Sequence, residues 1–152
     1  STLCLIFLSK DYIRPAFTLS KPLFKMGVSY QIQGRINEGF YDTSVEQTLN
    51  REFCYWKEIR HRIFDIIKGK RLPLSCKIVL GLSKQSISYL IAHNNSSFRE
   101  EDIEGIYVNI LYDPKNLLIT TGISYKNFSL DKSLEYAFDE YLAKFLKEKA
   151  VI

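Results

Sequence analysis

The sequence predicts a single α+β domain, a largely antiparallel sheet with three to four helices packed mainly on one face. Three observations carry this. Segments with the period-2 apolar alternation of half-buried strands are interleaved with segments whose apolar residues recur at helical spacing. Asp113-Pro114-Lys115-Asn116 separates two β-rich runs of similar length, which marks an antiparallel hairpin. The chain has 152 residues, 46% hydrophobic and 25% charged. That is one domain's worth, enough to bury about two-thirds of the unfolded surface without staples. Disordered, collagen-like and low-complexity chains are excluded by the same composition, and no internal repeat is present.

The first element is the run Leu3-Cys4-Leu5-Ile6-Phe7-Leu8, the longest apolar stretch. A membrane span needs about 20 such residues, and neither a basic start nor a small-residue cleavage site accompanies the run, so it is expected in the core. The chain does not begin with Met, so a longer or processed amino terminus is expected. From Tyr12 to Tyr41 β-formers dominate, broken at Pro15, Lys21-Pro22 and Met26-Gly27 and ended by Asn37-Glu38-Gly39. Two or three strands fit there. Val28, Tyr30 and Ile32 alternate with Ser29, Gln31 and Gln33, which predicts a strand with one wet face. Residues 42–52 are polar and acidic with few anchors, and are expected to form a mobile connection.

From Phe53 to Lys68 the period changes. Phe53, Trp56, Arg60, Ile63, Phe64 and Ile67 form one helical stripe. Gly69 is expected as its left-handed carboxyl-terminal cap, and Pro73 prevents the helix from resuming. Leu74, Cys76, Ile78, Leu80 and Leu82 alternate as a strand. A short helix is expected over Lys84 to Ala92, capped by Ser83, with Ile87, Leu90 and Ile91 inward. The hairpin runs from Ile106 to Tyr112 and from Leu117 to Ile123, with Ile110 and Ile119 largely buried and positive φ useful at Asn116. Leu134, Phe138, Tyr141, Leu142 and Phe145 define a last helix, started by Ser129 or Asp131 and running to about Lys149.

Cys4, Cys54 and Cys76 lie far apart, without a CxxC pair, and only His61 and His93 are present to help them. They read as unpaired, buried thiols of a cytoplasmic protein rather than as a disulfide framework or a zinc site. No cofactor or metal is expected. The charge of +4 permits a polyanionic partner without requiring one. It is uneven, because residues 1–77 hold 13 basic and 7 acidic groups whereas 78–152 hold 8 and 10.

The stretches Trp56-Lys57, Arg60, Phe64, Ile67-Lys68-Gly69-Lys70-Arg71, Pro73-Leu74-Ser75 and Lys77-Ile78-Val79 resemble a family of uncharacterised proteins from clostridial Firmicutes. So do Asn109, Tyr112-Asp113, Thr120-Thr121-Gly122, Ser124, Lys126, Phe128, Asp131-Lys132-Ser133-Leu134-Glu135 and Phe145-Leu146. The resemblance spans roughly residues 25–149. It implies family membership and no catalytic, cofactor or ligand residue, because that family has no assigned activity.

The basic segment is the most suggestive feature. Lys57, Arg60, Arg62, Lys68, Lys70, Arg71 and Lys77 are opposed only by Glu58 and Asp65. The candidate phosphate contacts are Lys57, Arg62, Lys68, Lys70, Arg71 and Lys77. Against this stands the ordinary reading of a charge run as a solvated face, and Tyr30, Phe53, Phe64 and Phe138 fall at core positions rather than on a stacking platform. Arg60, in the middle of the apolar stripe, is either a buried charge stacked on Trp56 and paired with a carboxylate such as Asp113 or Asp131, or an anion-binding residue. Asp131, Glu135 and Asp139 recur every four residues, a pattern far commoner as a solvated acidic stripe than as a cation site. His61 has no catalytic partner tied to it by a motif, and the hydroxyls of Thr120, Thr121 and Ser124 read as strand residues. Three function classes remain, in this order: a nucleic-acid-binding module, a protein-interaction or self-associating domain, and an enzyme without a linear signature.

Overall fold

The computed structural model describes residues 17–19, 22–42, 44 and 51–148. In chain order its elements are β1 (Phe17–Leu19), β2 (Leu23–Lys25), β3 (Ser29–Gln31), α1 (Trp56–Ile67), β4 (Ser75–Leu82), α2 (Lys84–His93), β5 (Ile103–Tyr112), β6 (Leu117–Tyr125) and α3 (Ser133–Glu148). The strands make a six-stranded sheet in the order β3-β2-β4-β5-β6, with β1 also on β4, and every pairing is antiparallel. The expected α+β class is therefore observed.

Period-2 alternation explains the two faces. Register pairs Cys76 with Tyr112, Ile78 with Ile110 and Leu80 with Val108, so these residues share one side, all buried. Phe24 joins them opposite Cys76, and Leu19 opposite Leu80. The buried stripes of the helices fill the same core: Trp56, Ile63 and Ile67 from α1, Ile87 and Leu90 from α2, and Leu134, Phe138, Leu142 and Leu146 from α3. Each such side chain contributes roughly 1.5–3 kcal/mol by leaving water. The opposite face carries Lys77, Leu111 and Leu118, all exposed.

Caps and turns are made locally. The Ser83 hydroxyl accepts the Ser86 N–H at 3.2 Å and starts α2. Asp131 accepts the Ser133 N–H at 2.9 Å ahead of α3. The Asp113 carboxylate accepts the N–H groups of Lys115 and Asn116 at 2.8 and 2.9 Å, closing the hairpin turn. That bonding makes left-handed backbone at Asn116 unnecessary, and among the described residues Asn95 is the non-glycine residue with positive φ.

Several expectations are corrected. Phe53 is not in α1, because residues 53–55 are extended and laced to earlier chain: Cys54 N–H donates to Gly34 O at 2.7 Å and Leu19 N–H to Cys54 O at 2.9 Å. Gly69 is not a left-handed cap. The helix ends where Lys68 turns extended, its N–H still bonded to Phe64 O at 2.9 Å. Leu74 precedes β4 and is exposed, and Ile119 is half-buried opposite the buried Ile110. Val28, just before β3, and Tyr30 within it are exposed because β3 is a short strand at the sheet edge with no described element packed on it, while Ile32 packs on the core. The Leu3-to-Leu8 run and most of 42–52 lie outside the described residues, although Arg51 and Glu52 at the end of that stretch are held, Ile36 N–H donating to Glu52 O at 2.8 Å.

Gly34 lies where two backbones meet: a Cβ there would run into the Leu19 carbonyl. A rigid backbone cannot yield as a side chain can. Gly34→Ala is expected to destabilise by about 2 kcal/mol or more by overpacking. Gly69→Ala, with nothing near its Cβ and no positive φ, should be neutral or stabilising by up to about 1 kcal/mol. Urea denaturation of the two variants side by side checks both.

Candidate functional site

The fold divides the basic residues of the 57–77 segment. Lys57 lies at the amino-terminal end of α1, and its amine is 5.9 Å from the Tyr55 ring centroid. Lys68, Lys70 and Arg71 follow the carboxyl-terminal end, roughly 16 Å farther along the axis at 1.5 Å per residue. Arg62 is exposed on the flank of α1 away from Lys57 and Arg60, by helical periodicity. Lys77 stands on the open face of the sheet, and the helices pack on the other. Arg60 is half-buried beside fully buried Trp56 and Ile63, and no charged side chain is fully buried among the described residues.

Where α1 gives way to β4, pairing adds a cation that local sequence does not reveal. Leu74 N–H donates to Lys25 O at 2.8 Å, and Lys25 pairs with Ser75 while Leu23 pairs with Lys77. Lys25 and Lys77 therefore share one face at one end of the sheet, and Lys70 and Arg71 lie in the connection that leads into it, all exposed. None of the ion pairs or hydrogen bonds among the described residues uses their side chains. Lys68 differs, since its amine is bonded to Asp65 at 2.7 Å and is partly neutralised. That hydrogen bond, and the charge behind it, hold the Asp65 carboxyl below its usual range. Asp113, in the β5–β6 turn, is lowered chiefly by the Lys115 backbone N–H. Leu72 and Leu74 are exposed between the cations.

At the other end of α1 lies a cavity of about 330 Å³, lined in part by Thr18, Arg51, Tyr55, Lys84 and Tyr107. Three of the charges that line it are engaged outside it: Arg51 by Glu58, Glu52 by Arg35, and Glu104 by the Ser124 hydroxyl. Arg51 makes two hydrogen bonds to Glu58 at 2.8 and 2.7 Å, donates to Phe53 O at 3.1 Å, and lies 4.2 Å over the Tyr55 ring. Glu58 also accepts the Tyr55 N–H at 2.7 Å, so it satisfies a free donor at the helix start. Burial pushes the Glu58 carboxyl up, but the Arg51 bond and the Tyr55 N–H outweigh it and the net shift is downward. The Glu58 hydrogen bond raises Arg51. Glu58 at the third helical position was a readable cap signal, whereas Arg51 fell in a stretch expected to be mobile.

The acidic stripe of α3 is likewise engaged: Asp131 accepts from Ser97 at 2.7 Å, Glu135 pairs with Lys132 at 3.2 Å, and Asp139 accepts from Thr121. Among the described residues no group of His, Cys, Asp and Glu is gathered as a metal would require, and no helix is long and apolar enough to cross a membrane. Cys54 is a free thiol and burial pushes it up, and Cys76 is buried in the core. Cys4 lies outside the described residues.

Residues 8–152 match the Family of unknown function (DUF5721), and the chain belongs to that family. No curated protein and no solved structure matches the chain. Its α+β sheet, its exposed cations and its cavity thus inherit no activity from a relative.

Because the folded-state pKa of Glu58 is depressed, its contribution is present above its unfolded pKa of about 4.3 and is lost as pH falls through the lower folded value. Glu58→Gln should therefore flatten the loss of stability in that acid window. At neutral pH, Arg51→Ala and Glu58→Gln are each expected to cost about 1 kcal/mol, since the pair is partly solvated. Denaturation midpoints measured from pH 7 to pH 3 check both points.

Proposed function

We propose that the chain is a non-enzymatic binding module that contacts nucleic-acid phosphates through the cationic end formed by Lys25, Lys70, Arg71 and Lys77. The observation that carries this reading is that strand pairing sets Lys25 beside Lys77 at the end of the sheet that Lys70 and Arg71 lead into, with all four exposed and without carboxylate partners among the described residues. Paired charges are neutralised internally and have little to offer a polyanion, whereas unpaired ones release counterions from each phosphate they meet. Lys68 is a weaker contributor because Asp65 competes for it. Lys57 and Arg62 belong to the outer margin of the surface at most. Arg60 takes a packing role on the flank of α1. The cytoplasmic assignment rests on the free Cys54 thiol, which a reducing compartment preserves.

A second reading, a protein partner with an acidic and apolar surface, is favoured by exposed Leu72 and Leu74 between the cations.

For a mixed duplex oligonucleotide, log affinity should fall steeply with log salt, by nearly one slope unit per neutralised phosphate, with slight sequence preference. Lys70→Ala with Arg71→Ala should lower the slope by roughly two units, and Lys25→Ala by roughly one, with the fold intact. Fluorescence anisotropy across a salt series decides it. Failure to bind single- or double-stranded probes at low ionic strength overturns this reading and favours the protein partner.

A further inference from the structure

The strand at the far edge of the sheet lacks the devices that keep such edges single. β6 is nine residues long, reaching about 30 Å, and one side of it pairs with β5. Its other side meets no described strand. Natural edges are guarded by Lys, Pro, bulges or brevity, yet Leu117-Leu118-Ile119-Thr120-Thr121-Gly122-Ile123-Ser124-Tyr125 contains no charge and no Pro. Its ladder is regular from Leu117 to Ser124, with the only register shift at the Ile103/Gly105 end.

We infer that β6 is the edge across which two copies of this chain pair, antiparallel about a two-fold axis through Thr121, so that their sheets become one. The strand is close to a palindrome about that residue. Thr121 meets Thr121 of the second copy, Ile119 meets Ile123, and Leu117 meets Tyr125, all on the helix-covered face, where apolar and Thr–Thr pairs are favourable. On the open face Leu118 meets Ser124, whose hydroxyl donates to Glu104 at 2.9 Å, and Thr120 meets Gly122, so none of the paired residues is charged.

The flank of α3 fits the same axis. Asp139 accepts a hydrogen bond from Thr121, so the helix crosses the axis at that residue. On one side of it Tyr136, 71% exposed, lies beside Ile123. On the other side a cavity of about 410 Å³ is lined by Ile119, Leu142, Ala143 and Leu146. A two-fold exchanges these halves, so Tyr136 of each copy faces the apolar cavity of the other. This is the self-complementarity an isologous interface requires. The two Asp139 carboxylates face each other near the axis and limit the affinity.

Sedimentation equilibrium of the full chain should show a concentration-dependent dimer. Thr120→Lys, at an exposed position on the open face, should weaken it by about tenfold or more, and Asp139→Asn should tighten it by removing the like-charge pair. Mild oxidation of Thr121→Cys should give a covalent dimer in high yield against the wild-type background of Cys4, Cys54 and Cys76. Leu118→Cys should not, because its two copies would lie about 20 Å apart along the ladder. A chain that stays monomeric at millimolar concentration overturns the inference. So does a dimer indifferent to Thr120→Lys, or one whose residue 118 cross-links as readily as residue 121.

Discussion

The register of β4 against β5 is the constraint on which the remaining structure depends. With Ile78 opposite Ile110 and Leu80 opposite Val108, the buried residues of the two longest central strands fall on one side. A slip of one residue would turn them to water and bring Lys77 and Leu111 inward. Everything else is placed by that face. The helices lay Trp56, Ile63, Phe138 and Leu142 on it, and Leu19 and Phe24 extend it toward the other edge. Lys77 points away from the helices for the same reason that Ile78 points toward them.

The two ends of the sheet are treated differently. On the β4 side, β1 and β2 share a single neighbour, and the pairing slips by one residue between them: Leu19 faces Leu80 but Leu23 faces Lys77. Pro22, without an N–H for a ladder, lies within that slip. Short strands and an interrupted ladder make a poor template for further pairing. The β6 side is long, regular and uncharged, and α3 lies along it rather than over its outer hydrogen-bonding edge.

Charge follows from the same geometry. Continuous in sequence, the basic segment becomes two groups in space, because a helix of 12 residues carries its ends about 18 Å apart. At the amino-terminal end the cation that matters structurally is Arg51, locked onto Glu58 and the Tyr55 ring. At the carboxyl-terminal end strand pairing sets Lys25 beside Lys77, and Lys70 and Arg71 lead into that end of the sheet without carboxylate partners among the described residues. Self-satisfied charges stabilise a helix start, and unsatisfied ones remain available to a partner.

Although Tyr141 is exposed and Leu146 takes the last buried position of α3, the class of the fold, the β5–β6 hairpin, α2 with its Ser83 cap and the Leu134, Phe138 and Leu142 positions of the α3 stripe were legible in the sequence. Each depends on contacts between residues near in the chain, and those contacts leave a period or a turn signature. The limits of α1 were not, because Phe53 and Cys54 are held extended by backbone partners at Arg35, Gly34 and Leu19, far away in sequence. The exposure of Tyr30 and Leu74 was hidden for a related reason: alternation shows which residues share a face, and only the neighbouring element decides whether anything covers it. Of the candidate site, Lys68, Lys70, Arg71 and Lys77 stood in one stretch. The Lys68–Asp65 pair is a local one, three residues apart. The distance from Lys57 to the far end of the segment and the placing of Lys25 beside Lys77 were decided by the folded structure, since helix length and strand pairing, rather than residue order, set the distances between charges.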